Sequence, residues 1–130
     1  MSKMSNKQKK LAALAYIAEG NSFFEVKDFM GAIESYDKAL EIKPFHAMAY
    51  LNKGGVFLLL AKIAINEQNL LLAKTELAEA ISCYSKTIEY DPSFINAQKL
   101  LEHCQDLDTT INVDIVGSDW FSYNRIRIVE

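Results

Sequence analysis

A chain of 130 residues, half apolar, about a quarter charged and carrying a net charge of −3, suits one core or a short repeat array and is too short for two ordinary domains. That balance argues against a disordered chain. It also leaves no broad cationic surface to neutralise phosphates, because the one basic cluster is "KQKK" at Lys7 to Lys10, so nucleic acid is a poor partner.

Residues 1–12 lead into a first helix. "KQKKLAALAYIAEG" has the basic start and apolar run of a short signal peptide, but the same run supplies positions of a repeat, so we read it as mature structure. That repeat first spans residues 13–46. "YIAEGNSF" (Tyr16 to Phe23) places an aromatic, a Gly and a Phe on one helix, "KDFMGAI" supplies a turn, and "AIESYDKALEIKP" (Ala32 to Pro44) forms a second helix ended by Pro44. Ala32, Ile33, Tyr36, Ala39 and Leu40 recur at helical intervals and make one apolar face. Small Gly20 and Ala32 let the two helices approach, with Phe23 and Tyr36 filling the space around them.

The pattern returns over residues 47–94. "YLNKGGVF" (Tyr50 to Phe57) lies 34 residues after its first copy, but "AISCYSKTIEYDP" (Ala80 to Pro92) lies 48 after its own, so the second copy holds 14 extra residues between its halves. Those residues belong to "FLLLAKIAINEQNLLLAK", Phe57 to Lys74. A bilayer span needs about 20 apolar residues, whereas Lys62 interrupts this run and Asn66-Glu67-Gln68-Asn69 ends it. Seven residues are close to two helical turns, so adding seven to each helix lengthens the hairpin by roughly 10 Å and keeps both helices on nearly the same face. The turn then falls at Asn66 through Asn69. The alternative keeps it near Lys74-Thr75-Glu76 and leaves the first helix's far end without a partner.

Even the symmetric extension leaves "VFLLLAKIAI" apolar almost all round, which requires cover on more than one side. A second copy, a foreign partner or the chain's own tail would provide it. A homodimer through Leu60, Ile63, Ile65, Leu70, Leu71 and Leu72 is the first expectation.

Residues 95–108 read as a capping helix with Ile95, Leu100, Leu101, Cys104 and Leu107 inward, since Glu102 stands where a repeat glycine would fall. In the tail, residues 109–130, Ile111, Val113 and Ile115 alternate with polar residues, as do Ile126 and Ile128 with Arg125 and Arg127. Period two predicts a small hairpin turning at Gly117-Ser118-Asp119, anchored by Trp120, Phe121 and Tyr123. Such a hairpin is marginal alone and should dock on the helices, lie in a groove or exchange with a partner.

The two copies resemble the tetratricopeptide repeat, a helix-turn-helix unit of about 34 residues. Tyr16, Gly20, Phe23, Ala32, Tyr36, Ala39 and Pro44 occupy its signature places, as do Tyr50, Gly54, Phe57, Ala80, Tyr84 and Pro92. Glu19 and Lys53 depart from the usual Leu, and Thr87 from the usual small Ala. The resemblance implies an all-α stack of antiparallel helix hairpins, with a concave face that binds partners. On that face it places Leu14, Ile17, Asn21, Phe24 and Glu25, then Met48, Leu51, Asn52, Gly55, Leu58 and Leu59, then Asn96, Lys99, Leu100 and His103. Ile17, Leu51 and Leu58 have an equal alternative as core residues packed under a neighbouring element.

One subclass of the family clamps the acidic C-terminus of heat-shock chaperones. Asn21 and Asn52 match that clamp, but Ile17, Asn96 and Leu100 stand where its cations should be, so charge-assisted hydrogen bonds to a carboxylate are missing. The groove looks apolar and suited to an aliphatic-anchored peptide segment.

Catalytic chemistry is not apparent. His46 and His103 have no metal-ligand neighbours at useful spacing, and Cys104 and His103 are adjacent helical residues that point apart. Gly54-Gly55 lacks the strand-loop-helix context of a phosphate loop. Cys83 and Cys104, without a CxxC pair, read as reduced thiols of a cytoplasmic protein. The expectation is a non-catalytic protein-interaction module without metal or cofactor. The alternative is a small acidic chaperone shielding a secretion or assembly substrate, which would show itself by suppressing that substrate's aggregation. Isothermal titration with a peptide ending EEVD should show no micromolar binding.

Overall fold

Three of the helices start where a short polar side chain bonds a backbone N–H group of the first turn. The computed structural model describes residues 3–129, with side chains described through Asp114. Ser5 caps α1 (Asn6–Glu25) in a capping box with Gln8. Asp28 caps α2 (Phe29–Ile42) by accepting from the Gly31 N–H at 3.0 Å, and Asn69 caps α4 (Leu70–Tyr90) by accepting from the Leu72 N–H at 3.2 Å. Between them runs α3 (Ala47–Asn66), and α5 (Ile95–Val129) follows. The described residues contain no strand. Neighbouring helices pack as two antiparallel hairpins, α1 with α2 and α3 with α4, followed by α5 on α4.

The symmetric extension is what the chain adopts: α3 ends at Asn66 and α4 begins at Leu70. Both hairpin turns have the same construction. In the first, Lys27 N–H donates to Phe24 O and Asp28 N–H to Phe23 O; in the second, Gln68 N–H donates to Ile65 O and Asn69 N–H to Ala64 O. This is the paired bonding of a Schellman stop. Lys27 (φ 64°) and Gln68 (φ 59°) occupy the left-handed position that glycine usually fills, and the next residue at once caps the following helix.

Glycine is required elsewhere, at the contact between the helices of each hairpin. A Cβ on Gly20 would lie 2.5 Å from Tyr36 Cε1, and one on Gly54 would lie 2.8 Å from Tyr84 Cε1 and 3.1 Å from Cys83 Cβ. Both tyrosine rings are buried against the glycine backbone.

Helix α3 serves two cores, which accounts for its apolarity on more than one side. Ala49 and Val56 join Ala13, Ile17, Ala32, Tyr36 and Ala39 under the first hairpin. Leu58, Ala61 and Ala64 face Ala73, Leu77, Ala80 and Tyr84, with Cys104 and Ile111 of α5 closing the same core. By length and composition α3 also passes for a membrane span; here it is packed between two sets of helices. Two residues that depart from the repeat pattern make bonds. Lys53 Nζ of α3 meets Asp37 Oδ1 of α2 at 2.7 Å, and the Thr87 hydroxyl donates within α4 to Cys83 O at 2.9 Å, with Ala47 O of α3 at 3.4 Å.

Over residues 109–114, the start of the expected extended tail, the chain continues α5. Leu107 and Ile111 prolong the helical stripe of Cys104, and Ile111 is buried while Val113 is exposed. Lys74 of α4 bonds to Asp108 and Asn112 of α5. The side chains of Trp120, Phe121, Tyr123, Arg125 and Arg127, on which the hairpin reading rested, lie outside the described residues. Ile95, expected inward, is 73% exposed; Ala97 is the residue buried there.

Replacing Gly20 with Ala should lower stability by about 1–3 kcal/mol, because overpacking against the buried Tyr36 ring outweighs a helix-propensity gain of about 1 kcal/mol. Gln68→Gly should instead raise it by up to about 1 kcal/mol by relieving the left-handed strain. Urea unfolding midpoints of both variants check this pair of opposite signs.

Candidate functional site

The first helices of the hairpins and the start of α5 enclose a cavity of about 410 Å³, lined by Asn21, Phe24, Tyr36, Leu51, Asn52, Gly55, Leu58, Tyr84, Asn96 and Leu100. No charged residue is among them. Helical spacing brings them together: Asn21 and Phe24 lie three apart on α1, Leu51, Gly55 and Leu58 four and three apart on α3, and Asn96 and Leu100 four apart on α5. Phe24 is steadied by Phe29, their ring centres 5.9 Å apart.

Polar groups at this groove are partly committed already. The Tyr36 hydroxyl donates to Asn21 Oδ1 at 2.5 Å, and Asn52 Nδ2 donates to the same oxygen at 3.2 Å. That arrangement leaves Asn21 Nδ2 and Asn52 Oδ1 free of these bonds, one donor and one acceptor at the rim. Burial pushes the Tyr36 and Tyr84 hydroxyls above the usual phenol range, so both remain neutral donors at physiological pH.

Of the residues predicted for the groove, Asn21, Phe24, Leu51, Asn52 and Leu58 line the cavity, as do Gly55, Asn96 and Leu100. Ile17 does not; at 3% exposure it belongs to the first hairpin's core. Leu14 and Met48 are exposed and Leu59 half-buried, all three outside the lining. Tyr36 and Tyr84 line the groove although the sequence pattern marks them as packing residues. The signal was the residue after each repeat glycine, Asn21 in one copy and Gly55 in the other.

The six residues of the expected oligomer interface divide. Leu60 packs on the first core, Ile65 and Leu70 pack on the second, and Ile63, Leu71 and Leu72 are exposed by 36%, 72% and 43%.

A second cavity, of about 460 Å³, lies at the opposite end of the hairpins among Asn6, Lys9, Ile42, Lys43, Phe45, His46, Tyr90 and Asp91. Phe45 stacks edge-on to Tyr90 with centres 5.1 Å apart, and burial together with the Lys43 charge holds the His46 imidazole below its ordinary range. Although larger, this cavity mixes charges of both signs and lacks converging amides, so the neutral groove is the better candidate for recognition.

Among the described residues no group of three His, Cys, Asp or Glu could hold a metal ion. Cys83 and Cys104 are buried free thiols. Burial pushes each up to about 11, so thiolate is scarce at neutral pH and neither is an activated nucleophile. No protein-family model matches the chain, and no match is found among curated proteins.

Proposed function

We propose that this chain is a tetratricopeptide-type interaction module that binds a segment of another protein in the uncharged groove between α1, α3 and α5. The observation that carries this reading is the groove's lining: apolar surface from Phe24, Leu51, Leu58 and Leu100, with amides of Asn21, Asn52 and Asn96 and no charge. Such a surface desolvates cheaply around an apolar side chain, whereas a charge brought to it would lose hydration without gaining a partner. The two hairpins with identical stops and paired glycine–tyrosine contacts support the repeat assignment. The neutral lining also favours an uncharged segment over an acidic chain end.

An array of uncharged, acetylated and amidated peptides, each with one or two aliphatic anchors, tests this directly. Micromolar binders are expected, and Asn96→Arg, which puts a charge at an exposed rim position, should weaken them at least tenfold (about 1.4 kcal/mol). An array without binders, or binders indifferent to Asn96→Arg, would overturn the reading.

A second association is favoured by Ile63, Leu71 and Leu72, which expose large apolar side chains on the far half of the long hairpin. Self-association through this projection should give a dimer mass by light scattering at micromolar concentration, converted to monomer by Leu71→Glu. A monomeric wild-type mass is the contrary result.

A further inference from the structure

The two hairpins repeat one contact with a single difference, and that difference opens into the groove. In the first, Tyr36 packs over Gly20 and its hydroxyl is satisfied by Asn21, the next residue along α1. In the second, Tyr84 packs over Gly54, but the next residue is Gly55. The Tyr84 hydroxyl therefore has no side chain to meet and forms no hydrogen bond among the described residues. It is nonetheless not a sealed, orphaned group: no described buried side-chain polar atom lacks a partner, so this oxygen keeps contact with the cavity that Tyr84 and Gly55 both line. The space between them is a notch. A Cβ at Gly55 would already stand 3.9 Å from the hydroxyl oxygen, so any larger side chain would fill it.

We infer that the groove takes its partner segment in extended form, with a backbone carbonyl of that segment entering the Gly55 notch and accepting a hydrogen bond from the Tyr84 hydroxyl. The inference rests on the groove reading above and adds the shape of the occupant and the group that fixes it. The uncharged lining favours an uncharged segment, because a charge brought to it would lose hydration without gaining a partner. Its conformation follows from hydrogen-bond supply: a helix has already paired its carbonyls and N–H groups internally, and would cover the Tyr84 hydroxyl while offering it nothing. An extended segment presents a free acceptor and a free donor at every residue, matching a hydroxyl at the floor and amides of both polarities at the rim. A buried hydroxyl left unpaired under a bound ligand costs about 1–3 kcal/mol, so the notch discriminates between the two forms.

The test uses the full chain and the same array of uncharged peptides. Tyr84→Phe removes only the hydroxyl and should weaken the strongest binders about two- to tenfold, while Tyr36→Phe, whose hydroxyl already bonds Asn21, should change binding less. Gly55→Asn gives Tyr84 the partner that Tyr36 has and blocks the notch, so binding should fall at least tenfold; a Cβ there meets no atom closer than 3.9 Å, which keeps this arm informative if Tyr84→Phe were to disturb packing. An ester replacing one peptide bond weakens the neighbouring acceptor; it should reduce affinity for the wild type at one position and lose that effect in Tyr84→Phe. Binding unchanged by Tyr84→Phe and Gly55→Asn, or hydrocarbon-stapled helical versions binding as tightly as the linear peptides, would overturn this inference and leave the groove reading standing. An array without any binder overturns both.

Discussion

The architecture depends on how closely two helices can approach when one offers a glycine and the other a tyrosine ring. At Gly20 and Gly54 the ring lies against bare backbone, within a distance at which a single methyl group would collide. This fixes the separation within each hairpin and the height at which α1 meets α2 and α3 meets α4. Many of the other buried residues are alanines: Ala13, Ala32, Ala39 and Ala49 in one core, Ala61, Ala64, Ala73 and Ala80 in the other. Small side chains add little transfer free energy each, but they permit close backbone packing over long stretches, so much of the attraction is distributed dispersion. A few large side chains, chiefly Tyr36, Tyr84, Leu77 and Val56, supply the concentrated burial.

The hairpins are joined by a different chemistry. Lys53 of α3 reaches Asp37 of α2, and although burial works against its charge, the hydrogen bond and charge of Asp37 outweigh that penalty and hold its pKa above the ordinary lysine value. Because the pair is only half-buried, it acts more to set the registry of one hairpin on the next than to add much stability. Thr87 reinforces that registry from α4, its hydroxyl near the first carbonyl of α3.

Much of this was legible in the sequence because it rests on spacing. Repeats at 34 and 48 residues fix where glycines and tyrosines recur, and a 14-residue excess divided between two helices locates the second turn. Residues 109–114 are ambiguous in the sequence because Ile111, Val113 and Ile115 satisfy a period of two as well as Cys104, Leu107 and Ile111 satisfy the helical one. Only the apolar flank of the projecting hairpin, where Ile111 comes to rest with Ala73 and Leu77, decides between them, and that surface is far away in the chain. Ile17 had two readings, groove or core, for a related reason, and it lies in the core. A residue on the inner edge of a helix can face either the groove or the neighbouring helix, and the exact rotation is set by the glycine contact three residues later. Tyr84 as a groove residue depended on an absent side chain, which pattern matching does not register.

The matching turns carry a consequence for how such a chain can change length. Lys27-Asp28 and Gln68-Asn69 close their hairpins with the same bonds, although the second turn stands two helical turns further out. The stop is thus a self-contained cap that can slide along the hairpin, provided the helices beneath it return to the same rotation. Each helical residue rotates the chain by about 100°, so an insertion of one or two residues per helix would swing the cap away from its seat, whereas seven per helix restores it. Hairpin length in this architecture is quantised, and the long arm is one quantum above the short one.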